Sequence, residues 1–199
     1  NMDTLNLFAY SGLGSLSMAA GGAKVCHLDA ARGMIEWGKE NLALNPSIPN
    51  AIRWIADDVN KFVNRELRRN SRYDLVALDP PTFGRGSSGQ LWKIESDLPQ
   101  LLKNCLALRK EDRPFTIVLS CHSPGFSLLV LERMVREVAG DRAEIEADAE
   151  LKAIWDIVIG VWQTEPNEEL DFFLNDYFKR HSGYIDENGL DQKVNSVTA

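Results

Sequence analysis

Short apolar runs alternate with amphipathic stretches along most of the sequence, and this alternation is the feature that most constrains the fold. Runs such as DLVAL and TIVL lack a polar residue at every second position, which is typical of strands buried on both faces. Strands that are each followed by a helix predict a parallel sheet with helices on both faces. We predict strands at 5–10, 24–28, 52–56, 73–78 and 115–120, and helices at 15–20, 30–44, 59–70, 94–108 and 127–139.

Composition limits the class of protein. A chain of 199 residues that is 44% hydrophobic can bury the core of one ordinary domain. No apolar run is long enough to span a membrane, and the N-terminus lacks the pattern of a secretion signal, so we expect a cytoplasmic protein without membrane association. Three cysteines without CxxC spacing predict neither a disulfide framework nor a metal site. The net charge of −7 means that nucleic-acid binding would need a local basic patch or a further domain.

The loops at the carboxyl ends of the strands are the expected ligand-binding region of such a sheet. The first loop carries Tyr10, Gly12 and Gly14, where glycine allows a ligand to approach the backbone just before a helix. The dinucleotide-binding pattern requires a third glycine where Ser17 stands, so a phosphate-binding loop fits poorly. An uncharged or carboxylate-bearing ligand fits this loop better.

Acidic residues follow the second and third predicted strands. Asp29 could accept two hydrogen bonds from a ribose diol, or it could cap the helix that follows. Asp57 and Asp58 are either helix caps or acceptors for an exocyclic amino group such as that of adenine. Taken alone, capping is the favoured role for this pair.

The fourth strand runs into LDPPTF, which forms a rigid corner. Two prolines fix the backbone, so Asp79, Pro80 and Pro81 can hold a carboxylate and a carbonyl in one arrangement that accepts hydrogen bonds from a planar amine. Phe83 would cover the face of such a group. The alternative is a simple end of the strand, since proline commonly marks one.

Five segments together resemble the class I methyltransferases that use S-adenosylmethionine. More closely, they resemble the catalytic domain of the bacterial-type large-subunit ribosomal RNA methyltransferases that act on cytosine C5 or on guanine. The resemblance covers about residues 4–139. The segments are FAYSGLGSLSMAAGGA, HLDAARGMIEWGKENLALN, DDVNKF, LDPPTFGRGSSGQLWKIESDLPQLL and SCHSPGF.

The resemblance implies a Rossmann-like fold with a mostly parallel seven-stranded sheet, an S-adenosylmethionine cofactor and an RNA substrate. It implies that the first-loop residues lie around the methionine part of the cofactor and that Asp29 holds the ribose. It implies that Asp58 holds the adenine amine, with Asp57 beside it. The corner residues would meet the target base next to the sulfonium methyl, Asp79 also touching the cofactor. The residues given these roles are Tyr10, Gly12, Gly14, Asp29, Asp57, Asp58, Asp79, Pro80, Pro81 and Phe83.

Cys121 decides between two kinds of chemistry. Methylation of cytosine C5 requires a thiolate that adds to the ring, and Cys121 matches the catalytic cysteine of the cytosine members. The alternative is a small, inert, buried residue. His122 is expected to be a surface or substrate contact rather than the base for this cysteine, because adjacent side chains on an extended segment point in opposite directions. Cys26 and Cys105 are expected in the core.

Other segments allow weaker expectations. The glycine-rich stretch 84–90, ending at Trp92 and Lys93, is interpreted as a substrate lid. A basic run in the third helix could touch phosphates, although dipole compensation at a helix end is the favoured role. This run comprises Arg65, Arg68, Arg69 and Arg72.

The carboxyl third departs from the family pattern. We expect residues 1–163 to form the catalytic domain, with the last two strands at 143–151 and 154–163. Residues 164–199 would hold a helix at about 168–180 and a polar tail. Relatives carry N-terminal segments that help to bind RNA, so these are either absent or the sequence is a fragment.

Two other functions remain open at this point: a small-molecule or protein N-methyltransferase, and a non-catalytic Rossmann-like binding module. A nicotinamide-dependent dehydrogenase is disfavoured by the missing third glycine.

Overall fold

The computed structural model describes residues 2–85, 89–123 and 125–140. Its centre is a parallel sheet of five strands in the order β3-β2-β1-β4-β7. A separate antiparallel hairpin is formed by β5 and β6. The strands are β1 Asp3–Leu7, β2 Lys24–Asp29, β3 Ile52–Ala56, β4 Leu75–Leu78, β5 Phe83–Arg85, β6 Leu91–Lys93 and β7 Thr116–Leu119. The helices are α1 Leu13–Ala20, α2 Arg32–Ala43, α3 Val59–Arg68, α4 Ile94–Leu106 and α5 Leu128–Ala139.

Helices cover both faces of the sheet, as predicted. Alternation along β2 sends Cys26 and Leu28 into the larger apolar cluster, which also holds residues of α3 and α4, and sends Val25 into a smaller one with residues of α1. The prediction that Cys26 and Cys105 are core residues is confirmed. Burial raises the pKa of the Cys26 thiol to about 11 and that of Cys105 to about 12.

Strand order reverses between β1 and β4. The chain continues from β1 toward β2 and β3 on one side of the sheet, and from β4 toward β7 on the other. The loops after β1 and β4 therefore diverge and leave a crevice at the carboxyl ends of the strands. The sequence predicted five of the strands in this sheet. The last two predicted strands, the domain boundary at 163 and the segment 164–199 lie outside the described residues.

The first predicted strand ends too late. It stops at Leu7, because Phe8 and Tyr10 have φ angles of 56° and 48°, which belong to the left-handed region and bend the chain out of the sheet. The aromatic character of this segment favoured a strand, but tertiary contacts override that propensity.

The glycine-rich stretch 84–90 is not only a loop. Gly84 and Arg85 belong to β5, which pairs with β6. No alternation of polar and apolar residues in the sequence predicts this hairpin. Trp92 connects it to the rest of the protein, because its ring packs against Phe8 with 5.0 Å between ring centroids. Within the described ranges, no helix has the length and apolar composition needed to cross a membrane.

A buried polar network lies beneath the first loop. Asn6 Nδ2 donates to Ser15 Oγ at 2.9 Å, and Ser15 Oγ lies 2.9 Å from His27 Nδ1. His27 has no solvent exposure and packs against Trp54 with 4.5 Å between ring centroids. The network fixes the start of α1 to β1 and β2. Burial lowers the pKa of His27 from its ordinary value of 6.5 to about 4, so the imidazole is neutral in the folded protein at pH 7.

His27 therefore predicts a pH-dependent stability. Between pH 6.5 and about 4 the unfolded chain binds a proton that folded His27 does not bind. The free energy of unfolding should fall over this range by about 3 kcal/mol from this residue alone. Urea unfolding of the wild type and His27→Gln at pH 7.5, 5.5 and 4.5 measures it. The variant should lack this component, and a pH dependence equal to that of the wild type would contradict the assignment.

Candidate active site

A cavity of about 560 Å³ occupies the crevice at the carboxyl ends of β1, β2, β3 and β4. This volume is within the range of small-molecule and cofactor sites. Four of its lining residues carry carboxylates, which makes the cavity rich in hydrogen-bond acceptors. The lining comprises Phe8, Tyr10, Leu28, Asp29, Ala30, Ala31, Asp57, Asp58, Val59, Asp79, Pro80, Pro81, Thr82, Gly84, Arg85, Trp92, His122 and Ser123.

Asp29 joins two loops through its carboxylate. Its Oδ2 accepts the backbone N–H of Tyr10 at 2.9 Å, and its Oδ1 accepts that of Ala31 at 2.8 Å. The alternative that Asp29 caps α2 is wrong, because the helix begins at Arg32 and the cap position is Ala31. Each carboxylate oxygen has a second lone pair, so both can still accept a hydrogen bond from a ligand in the cavity.

The predicted glycines lie beside the cavity rather than in its lining. Gly12 has a φ of 93°, and a side chain there would come within 3.2 Å of the Gly38 Cα. Gly14 lies inside α1, where a Cβ would approach Asn6 Nδ2 at 3.3 Å. These close approaches let the first loop pack on α2 and let α1 pack on β1. Tyr10, by contrast, lines the cavity with 52% of its surface exposed.

Asp57 and Asp58 have different environments. Asp57 Oδ1 accepts the backbone N–H of Asp58 at 2.9 Å, and its Oδ2 pairs with Arg65 at 2.7 Å. Asp58 caps α3 by accepting the N–H of Lys61 at 3.0 Å, which confirms the predicted capping role. Its Oδ2 has no hydrogen-bond partner among the described residues and is available to a ligand. Arg65, one of the four arginines of the basic run, therefore forms an ion pair with Asp57 within the protein.

The corner after β4 is held from β7. Ser120 Oγ donates to Asp79 Oδ1 at 2.6 Å, and His122 Nε2 lies 4.0 Å from the same oxygen. Ser120 is only 2% exposed, so this hydrogen bond fixes the orientation of the carboxylate from inside the protein. In the part of the chain that the structure describes, Asp79 Oδ2 has no hydrogen-bond partner, and Asp79 is one of the residues that line the cavity.

Two further contacts fasten the corner. Trp92 Nε1 donates to the carbonyl oxygen of Pro81 at 2.7 Å, which ties the hairpin to the two prolines. The hydroxyl groups of Thr82 and Ser123 lie 2.8 Å apart. Pro80 and Pro81 line the cavity, as expected of residues that meet a ligand.

Phe83 and Cys121 are not part of the cavity lining. Phe83 lies in β5 with 55% of its surface exposed. Cys121 is 4% exposed and belongs to the larger apolar cluster. Because Ser120 and His122 both approach Asp79, the residue between them points to the other side of the segment. His122 has 59% of its side chain exposed and lines the cavity, in agreement with its expected contact role.

Sequence reasoning missed Phe8 and Ser120 as site residues, and it noted Trp92 only as the end of a loop. Ser120 could have been found, because Leu119 pairs with Leu78 and the next residue on each strand must then be neighbours. Phe8 had no such signal, since its place follows from a left-handed backbone conformation.

The cavity suits a ligand that is positively charged and rich in N–H and O–H donors. The acceptors are the open carboxylate oxygens of Asp58 and Asp79 and the spare lone pairs of Asp29. A sulfonium nucleoside with an amino group, a ribose diol and an adenine amine has these properties. Among the described residues, no cluster of three or more His, Cys, Asp or Glu side chains is placed to hold a metal ion.

Comparison with known proteins decides the family. The sequence profile of the S-adenosylmethionine-dependent methyltransferases matches residues 2–137. The chain belongs to this family. Membership of this family confirms the predicted Rossmann-like class I fold and S-adenosylmethionine as the cofactor. Five strands of the predicted seven-stranded sheet lie within the described residues.

Individual relatives agree with this assignment. A ribosomal RNA large subunit methyltransferase K/L from Alteromonas mediterranea is 36% identical over 129 residues, which are 63% of this chain and 18% of the relative. One from Vibrio cholerae is 32% identical over 128 residues, 63% of this chain and 17% of the relative. The chain thus spans less than a fifth of these curated relatives.

A solved structure of the same family matches the fold of this chain. The S-adenosylmethionine-dependent methyltransferase from Agrobacterium tumefaciens has 40% sequence identity and a TM-score of 0.66. The match covers 69% of this chain and 44% of that structure.

The position of Asp29 predicts its effect on cofactor affinity. Asp29→Ala removes two charge-assisted hydrogen-bonding oxygens, each worth about 1.5–3 kcal/mol. The affinity for S-adenosylhomocysteine, measured by titration calorimetry, should fall by about 100-fold or more. Asp112→Ala removes an exposed carboxylate before β7, at the opposite edge of the sheet, and should bind as the wild type does. Equal affinities for both variants would argue against the ribose role.

Proposed function

We propose that this methyltransferase transfers a methyl group from S-adenosylmethionine to a nitrogen of a base in large-subunit ribosomal RNA, with the exocyclic amino group of guanine as the target. The observation that carries the proposal is the orientation of Asp79. Its Oδ1 is bound by buried Ser120, its Oδ2 has no hydrogen-bond partner among the described residues, and Asp79 lines the cavity. A carboxylate held in this way can accept an N–H of an amino group and aim the nitrogen into the cavity.

The same geometry disfavours cytosine C5 as the target. That carbon becomes a nucleophile only after a thiolate adds to the ring, so the thiol must reach the base. Cys121 is 4% exposed and packs in the apolar core. Cys26 and Cys105 are also buried, and neither is among the residues that line the cavity.

We propose the following roles for the cavity residues. Asp29 binds the ribose diol, Asp58 Oδ2 binds the adenine amine, and Tyr10 lies beside the methionine part of the cofactor. The cofactor supplies a methyl group bound to a positively charged sulfur, which is already activated toward nucleophiles. The protein therefore contributes mainly alignment and a matched electrostatic environment.

Asp79 would act on the substrate amine. Its Oδ2 would accept one N–H and hold the nitrogen lone pair in line with the methyl carbon. Formation of the new N–C bond would break the bond between the methyl carbon and sulfur and release S-adenosylhomocysteine. The nitrogen would then lose one proton, which Asp79 would accept. Pro80 and Pro81 would keep this carboxylate rigid, and the indole of Trp92 would hold the Pro81 carbonyl in place.

The ribosomal RNA substrate is supported by the names of the relatives at 36% and 32% identity. The proposed ribosomal RNA substrate implies a cytoplasmic location for the protein. A small-molecule or protein N-methyltransferase is the second candidate, because the net charge of −7 suits such substrates and the same cavity would serve them. Methyl transfer to unmodified ribosomal RNA, followed by digestion to nucleosides, distinguishes the two.

Asp79 and Cys121 predict opposite results in that assay. Asp79→Ala should lower the rate of methyl transfer by about 100-fold or more, because the amine loses both its orienting group and its proton acceptor. Affinity for S-adenosylhomocysteine should change much less than the rate. Cys121→Ala, the matched control, should retain a rate within about threefold of wild type, because small buried side chains differ little in packing.

Three results would reject parts of the proposal. Full activity of Asp79→Ala would exclude the role of the corner. An inactive but folded Cys121→Ala, together with methylation of cytosine C5 by the wild type, would restore the thiolate mechanism. Cofactor binding without transfer to RNA would favour the second candidate or a non-catalytic module.

A further inference from the structure

The hairpin β5–β6 has two different faces. In its antiparallel register Phe83 lies opposite Lys93, Gly84 opposite Trp92, and Arg85 opposite Leu91. Side chains of directly paired residues share a face, and successive pairs alternate. The inner face is therefore Gly84 and Trp92, which line the cavity. We define the outer face as Phe83, Arg85, Leu91 and Lys93, all of which are exposed. Arg85 also borders the cavity, so the outer face adjoins its rim.

The outer face combines apolar surface with unpaired positive charge. Phe83 and Leu91 are 55% and 54% exposed. Arg85 and Lys93 form no ion pair with any residue in the described ranges. The sequence contains no acidic residue between Asp79 and Glu95, although the whole chain has a net charge of −7. The hairpin is thus a local basic patch on an acidic protein.

Each cross-strand pair on this face joins one apolar side chain to one cation: Phe83 to Lys93, and Leu91 to Arg85. A protein partner that buried an apolar patch would leave these cations without compensation. A single-stranded nucleic acid presents both bases that stack on an aromatic ring and phosphates that bind cations at short, regular intervals. The pattern of the outer face is complementary to such a strand.

We propose that the outer face of the hairpin binds the single-stranded RNA segment that flanks the target base. The inference rests on the proposed RNA substrate. A base that enters the cavity must first leave its stack, which exposes its neighbours in the strand. Phe83 would stack on one of these neighbours, and Lys93 and Arg85 would contact the backbone. Phe83 thereby has a substrate role outside the cavity, next to the corner where the sequence placed it.

The hairpin is positioned for this task. Its inner face is fixed by the hydrogen bond from Trp92 to Pro81 and by the packing of Trp92 on Phe8. The outer face therefore holds a constant position relative to Asp79. A strand bound there would deliver its next nucleotide to the cavity without a separate rearrangement of the wall.

Fluorescence anisotropy with a labelled single-stranded RNA of about 16 nucleotides tests the proposal, using the full chain saturated with S-adenosylhomocysteine. Phe83→Ala should weaken binding by about fivefold or more, the usual effect of losing one stacked base. Leu44→Ala removes an even more exposed apolar side chain after α2 and should bind as the wild type does. A duplex of the same sequence should compete less well than the single strand.

The charge is tested by salt dependence. Lys93→Gln should reduce the slope of log K against log salt concentration by about 0.7, the value for one phosphate contact on a single strand. Lys24→Gln makes the same change at the amino end of β2, at the opposite edge of the sheet from the cavity, and should leave the slope unaltered. Calorimetric titration with S-adenosylhomocysteine in each variant reports whether the fold and the cofactor site persist.

The outcomes separate the two proposals. If the wild type binds S-adenosylhomocysteine but no RNA, the proposed RNA substrate is wrong and the hairpin surface with it. If the wild type binds and methylates RNA while Phe83→Ala and Lys93→Gln bind RNA as the wild type does, only the hairpin proposal is wrong. Equal competition by the duplex would also overturn it, because a duplex does not expose its bases for stacking.

Discussion

The parallel alignment of β1 with both β2 and β4 is the constraint on which the rest of the structure depends. Parallel strands bring their carboxyl ends to one edge of the sheet, and the reversal of strand order at β1 and β4 keeps the next loops apart. Every carboxylate of the cavity lies at or just after the carboxyl end of a parallel strand: Asp29 ends β2, Asp57 and Asp58 follow β3, and Asp79 follows β4. Because the strands are buried on both faces, their ends are rigid supports, and the loops need only a few hydrogen bonds to hold their positions.

Those hydrogen bonds come largely from the same carboxylates that face the cavity. Asp58 uses one oxygen to cap α3 and leaves the other open. Asp79, which also lines the cavity, accepts from Ser120 with one oxygen and has no partner for the other among the described residues. Asp29 binds two backbone N–H groups and still has lone pairs for a ligand. Asp57, with both oxygens engaged, supports its neighbour instead. Acidic residues here organise the loops before any ligand is bound, which reduces the ordering that binding would otherwise require.

The sequence predicted what depends on local pattern and missed what depends on contacts between distant segments. The continuous apolar runs predicted the five sheet strands, because a strand buried on both faces has few alternatives. The acids at the strand ends were identified for the same reason. The hairpin was missed, since its partner for packing, Phe8, lies in a distant loop and has an unusual backbone angle. The burial of Cys121 could not be predicted either. Side chains alternate in direction after β7, and the sequence alone does not say which side faces the core and which faces the cavity.

Trp92 links the binding of a ligand in the cavity to the binding of a ligand on the outer face of the hairpin. Its indole packs against Phe8 in the cavity, while its neighbours in β6 are exposed on the other side of the hairpin. A ligand in the cavity and a ligand on the outer face would therefore both contact the same short strand. Any factor by which an occupied cavity changes the affinity of the outer face must equal the factor in the reverse direction. A preferred sequence of cofactor and substrate binding would then reflect rates of access, since equilibrium alone gives neither ligand precedence.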